Sequence, residues 1–154
     1  MTRRAHGFTL LEALVALLVL SVGLLGAAEM LLDSLQSHGA ALRTLSAAGA
    51  VRDMAERIRA NEHAGAYYDT RTAATGDCEE TAGCGAAQRA AADRAAFLAA
   101  ARELFPHEEI DAAVVFAPAT GPAPRRYEVT LRWNGTRDAG EVALTVLAQP
   151  PVAG

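Results

Sequence analysis

Gly7-Phe8-Thr9-Leu10-Leu11-Glu12 leads without a break into an apolar segment that ends near Ala28. Only Met1-Thr2-Arg3-Arg4-Ala5-His6 stand before it, a short basic leader. From Phe8 to Ala28 the run is interrupted by Thr9, Glu12, Ser21, Gly23 and Gly26 alone. At ~1.5 Å rise per residue such a helix is on the order of 30 Å long, enough to cross the hydrocarbon core of a bilayer. Glu12 is the anomaly. A carboxylate at the bilayer centre costs about 2.5–3.5 kcal/mol on insertion scales, so an acid placed there needs a task and a partner. A plain signal anchor accounts for the basic leader and the apolar run but has no use for Glu12. A secretory signal peptide, cut at a small-x-small site such as Gly26-Ala27-Ala28, would discard Glu12 altogether. A third reading joins Gly7, Phe8 and Glu12 into one motif in which each residue has a use.

That motif, followed by Ala13-Leu14-Val15-Ala16-Leu17-Leu18-Val19-Leu20, resembles the class III signal of type IV pilins and type II secretion pseudopilins. The resemblance implies that a prepilin peptidase cuts after Gly7 and methylates the new amino terminus at Phe8. It also implies that Glu12, at the fifth mature position, pairs with the amino terminus of a neighbouring subunit in a filament. The physics agrees, because a buried acid that meets a buried cation is compensated, and either one alone is not.

Length and charge bound the rest. Of 154 residues, removal of the first seven leaves 147, one domain's worth of chain with part of it in a membrane helix. The formal charge of −4 becomes −6 once Arg3 and Arg4 are gone, and no basic face recommends nucleic acid as a partner. Arg3 and Arg4 just before the apolar run place the amino terminus in the cytoplasm. Everything beyond Ala28 is then expected on the far side of the inner membrane, in the periplasm, as a single-pass protein.

The two cysteines, Cys78 and Cys84, sit close together in a Gly-, Thr- and acid-rich stretch. In an oxidising compartment such a pair reads as a disulfide, and closing so short a loop stabilises by roughly 2 kcal/mol in the chain-entropy model. A metal site built from Cys78, Cys84 and His63 or His107 is the alternative, though neither a tight cysteine spacing nor a histidine pair supports zinc. A redox-active pair would want C-x-x-C at a helix start, which is not the pattern here.

Helical periodicity continues past Ala28 to Asn61 without a proline. Leu31, Leu35, Leu42 and Leu45, then Val51, Met54 and Ile58, recur at helical spacing and form a stripe that should cover a sheet. Asp53 with Arg57 and Arg52 with Glu56 are i,i+4 pairs on the polar side. Gly23, Gly26, Gly39 and Gly49 each cost about 1 kcal/mol relative to Ala in a helix. Both close helix packing and simple tolerance of small residues account for them. Glu62 to Gly85 reads as irregular, and Ala86 to Phe105 as a second helix stopped by Pro106. Phe97 with Leu104, and Leu98 with Phe105, give that helix a modest apolar face. Asp111 to Ala117 is a short strand candidate. Arg126 to Trp133 is the clearest strand, with Tyr127, Val129, Leu131 and Trp133 alternating against Arg126, Glu128, Thr130 and Arg132. Asn134-Gly135 signals a turn and Val142, Leu144 and Val146 alternate in a last strand. The fold class expected is α+β, pilin-like: a long N-terminal helix, membrane-spanning in its first half, packed on a small antiparallel sheet. The divisions are a leader at 1–7, a membrane or filament-core helix at 8–28, the rest of the long helix at 29–61, and an α+β head with a disulfide loop at 62–154.

Asp53-Met54-Ala55-Glu56-Arg57-Ile58-Arg59-Ala60-Asn61, with Tyr67-Tyr68 soon after, is similar to PilV-type minor pilins, also called type IV pilus modification proteins. The cysteine pair, the helix ending at Leu104-Phe105-Pro106 and the strand Tyr127 to Trp133 follow in the order expected of that group. Pro150-Pro151 stand where many major pilins carry a second cysteine pair, which argues against a shaft-forming subunit. The resemblance implies a minor pilin that helps prime or initiate pilus assembly, and so adhesion or twitching motility. The alternative is a minor pseudopilin of a type II secretion system. The implied partners are other minor pilins and the major pilin, the prepilin peptidase, the inner-membrane assembly platform and the lipid bilayer.

No catalytic constellation and no cofactor motif stands out. His6, His38, His63 and His107 are scattered, and no H-E-x-x-H, phosphate loop, dinucleotide fingerprint or nucleophile elbow is present. Glu108-Glu109 with Asp111 reads as a solvated acidic turn rather than a cation site. Trp133 and Tyr127 read as core, and Arg125-Arg126 as a solvated edge guarding a strand. An enzyme or binding domain merely tethered to the membrane is the rival of a different class, and it would have no need of Glu12.

Overall fold

The structure is a computed structural model that describes residues 9–73, 83–121, 123–135 and 139–148. Gly7, Phe8, Cys78, Pro150 and Pro151 lie outside the described residues. The elements in order are α1 (Leu10–Ala60), a 3-10 helix (Glu62–Tyr68), α2 (Ala86–Leu104), β1 (Glu109–Ala117), β2 (Arg125–Asn134) and β3 (Ala139–Ala148). The chain divides into two compact units, Met1–Ala40 and Ala41–Gly154.

In the first unit, α1 begins where Thr9 can cap it. The Glu12 N–H donates to Thr9 Oγ1 at 3.3 Å and the Ala13 N–H to the Thr9 carbonyl at 3.2 Å. Thr9 with Glu12 at the third helical position is the spacing of a capping box, and the acid in the first turn suits the positive end of the helix dipole. Leucine and alanine then propagate the helix, and Arg57 and Arg59 in its last turn complement the opposite pole.

In the second unit, residues 41–60 of α1 lay one stripe against the sheet. Ala47, Val51, Met54, Ala55 and Ile58 are buried there. Burial of each of the larger three stabilises by roughly 1.5–3 kcal/mol. Val51, Met54 and Ile58 therefore pack as their spacing implies, but Leu42 and Leu45 stay exposed, as do Leu31 and Leu35 in the first unit. The covered stripe is shorter than the periodicity suggests, because periodicity marks a face without marking how far along it the sheet extends. Asp53 and Arg57 pair at 2.8 Å, whereas Glu56 pairs with Arg59, not Arg52.

On α2 the buried residues are Ala90, Phe97 and Ala101, and Phe105 follows them at the C-cap. The covered face thus runs 97, 101, 105 rather than through Leu104, which is exposed. The stretch expected to be irregular opens with the 3-10 helix, which kinks at Gly65, where φ is 54° and ψ is −124°. A residue with a Cβ would be strained there.

The sheet is an antiparallel meander in the order β1-β2-β3. β2 is central, so Arg125-Arg126 open the middle strand and do not guard an edge. Its odd-numbered residues Tyr127, Val129, Leu131 and Trp133 are all buried against the helices, as the alternation predicts. Glu108 is not solvated, since its side chain is largely covered and bonds Arg43 at 2.7 Å. The Trp133 ring stacks on Phe105 with centroids 4.8 Å apart and planes 12° from parallel. Gly140 lies opposite Trp133 in the ladder, and a Cβ there would collide with the indole Cζ2, Cε2 and Cη2 atoms. The stack needs the missing side chain. Gly140→Ala is therefore expected to destabilise the second unit by roughly 1–3 kcal/mol. Urea unfolding of the detergent-held chain, followed by the fluorescence of its single tryptophan, measures this.

Candidate functional site

Residues 10–28 offer chemistry of one kind, an apolar helix surface with a single acid on it. Leu10, Leu11, Leu14, Val15, Leu17, Leu18 and the residues that follow are exposed on every side. By length and composition α1 can cross a membrane. In hydrocarbon every polar group must be satisfied from within or by another chain. The α1 ladder satisfies the backbone. Of the two polar side chains in residues 10–28, Ser21 donates its hydroxyl to the Leu18 carbonyl at 2.8 Å. The other is Glu12, exposed, with no side-chain partner among the described residues. The helix surface thus presents one unmet polar demand, close to its amino-terminal end. A Cβ at Gly23, Gly26 or Gly39 would meet nothing within 4 Å, so no contact with a described residue calls for these glycines.

Of the other residues singled out by sequence, Gly7 and Phe8 lie outside the described residues, and so does Cys78. Cys84 is described, just ahead of α2, and its carbonyl accepts the Arg89 Nε–H at 2.9 Å. Among the described residues no group of three His, Cys, Asp or Glu side chains is placed to hold a metal, and His63 and His107 are exposed.

Residues 2–28 match the family model of the prokaryotic N-terminal methylation motif, and residues 30–95 match that of type IV pilin Tt1218. The chain carries a prepilin motif and a type IV pilin segment. The α+β architecture, a long N-terminal helix whose residues 41–60 pack on a three-stranded antiparallel sheet, is that of a pilin fold. The chain matches no curated protein and no solved structure.

The pilin segment also holds a polar junction that sequence reasoning passed over. Tyr68 is fully buried, and its hydroxyl donates to Asp93 Oδ2 at 2.6 Å. Asn61 Nδ2 donates to the Tyr68 hydroxyl at 3.3 Å and to the Ala86 carbonyl at 2.9 Å. Asp93 in turn accepts Arg57 Nη1 at 3.1 Å, and Arg57 also holds Asp53. The end of α1, the 3-10 helix and the start of α2 are thereby tied by one network. Burial first, and then the bond to Asp93, push the Tyr68 phenol above its ordinary value, so it remains a donor at any physiological pH.

One residue on, Asp69 ties the same turn to the sheet. Its carboxylate accepts the Arg71 side chain and the Arg71 N–H, and Oδ2 also accepts the Phe116 N–H of β1 at 3.1 Å. Arg94 from α2 closes the loop from outside through the Tyr67 and Thr72 carbonyls. The only sequence signal was Tyr67-Tyr68-Asp69, which taken alone says turn. The Arg71 side chain, opposed by burial and assisted by the two backbone N–H groups, holds the Asp69 carboxyl well below the usual carboxylate range. A carboxyl whose pKa is depressed on folding stabilises above its unfolded value of about 3.9, and that contribution is lost as pH falls through the folded value. Asp69→Asn is expected to cost roughly 1–3 kcal/mol at pH 7, because a buried acceptor is replaced. The gap to the unsubstituted chain should narrow below about pH 4. Urea midpoints of both chains from pH 7 to pH 2 check the magnitude and the sign.

Proposed function

We propose that this protein is a minor pilin of a type IV pilus. In this reading prepilin peptidase removes residues 1–7, cutting between Gly7 and Phe8, and methylates the amino group of Phe8. The chain sits in the inner membrane as a single-pass protein, amino terminus in the cytoplasm and second unit in the periplasm, until the assembly platform inserts it in the filament. There it works with other minor pilins and the major pilin to prime or initiate assembly. Adhesion or twitching motility follows from that. Cys78 and Cys84 form a disulfide that closes the loop before α2. No catalysis is assigned to the chain.

The observation that carries the reading is Glu12, the one polar side chain in residues 10–28 that is left without a partner among the described residues. Its acid calls for a cation, and no described residue of this chain supplies one. A new amino terminus at Phe8 of a neighbouring copy or relative, buried in the same apolar layer, supplies one. Apolar packing of the exposed helix surfaces then provides most of the assembly energy, while Glu12 selects register. Any wrong axial position leaves both charges buried and unpaired, at a cost of several kcal/mol. The match of residues 2–28 to the methylation motif supports this, and the match of residues 30–95 supports the pilin role.

Intact mass and the amino-terminal peptide of the membrane-extracted native chain test the processing step. The expected start is methylated Phe8. A start at Glu29 would mean that an ordinary signal peptide has been removed and Glu12 with it, and the filament reading would fall. The assembly step is tested separately by Glu12→Ala in the native cell. Recovery of the variant in sheared pili should drop about tenfold or more, in line with the penalty for a lone buried charge. Normal incorporation would refute the role given to Glu12. A secretion defect on deletion, without the chain in sheared pili, would instead favour a minor pseudopilin of a type II secretion system.

A further inference from the structure

We draw no further inference here: the strongest candidate, the groove across one end of the sheet lined by Glu109, Asp111, Arg132, Asn134 and Glu141, carries nothing, because it is a cluster of acidic side chains around an arginine that Glu141 already holds at 2.9 Å, and nothing in the structure shows what would occupy it.

Discussion

One carboxylate on an apolar helix is the constraint from which the rest follows. In residues 10–28 the helix ladder satisfies the backbone beyond the first turn, the serine bonds within the helix, and Glu12 has no side-chain partner among the described residues. In water that would be an ordinary surface acid. In hydrocarbon it is a charge that the next turn of its own helix does not neutralise, because i,i+3 and i,i+4 from Glu12 are Val15 and Ala16. No described residue of this chain meets the demand. Apolar surface associates without much regard to axial position. A single buried charge does not, and the role proposed for Glu12 is accordingly to select geometry more than to supply affinity. Glu12 lies within residues 2–28, which match the prokaryotic N-terminal methylation motif.

The second unit solves a different problem, which is to hold a small sheet against one face of a helix with few aromatic residues. It does so by fastening the crossing point with polar groups. Tyr68 contributes a buried ring, edge-on to Tyr127 at 6.2 Å between centroids, and a hydroxyl that reaches Asp93 and Asn61. Asp69 and Thr70, next in the chain, close the β1 edge. Three consecutive residues thus join α1, α2 and the sheet. Such a network is stiff when fully satisfied and costly when one member is lost. The family match to residues 30–95 includes this junction and stops short of all three strands.

Much of this was legible in the residues. The order helix, helix, three strands was readable because each element declares itself through its own period, 3.6 on α1 and two on β2 and β3. Tyr127 and Trp133 read as core for the same reason, and Asp53 with Arg57 pair as neighbours on one helix turn must. The errors share a cause. Leu42 and Leu45 fit the stripe but find no sheet above them, Leu104 fits a seven-residue spacing but yields to Phe105, and Glu56 takes Arg59 over Arg52. Arg125-Arg126 look like an edge until β2 proves to be the middle strand. Each depends on where another element lies.

The sequence by itself determined the membrane-length apolar helix, the basic residues before it, the methylation motif over residues 2–28 and the α+β order. These are local properties, written in composition and in spacing along a single segment. Only the tertiary structure decided that Gly140 must lack a side chain, since the atoms that would collide belong to Trp133 on the neighbouring strand. It alone decided that Tyr68 anchors two helices and that one edge of the sheet is closed by Asp69 and Thr70. Hydrogen-bond partners far apart in sequence leave no periodic trace, and packing contacts across a sheet leave none either. They come into being when the chain folds back on itself.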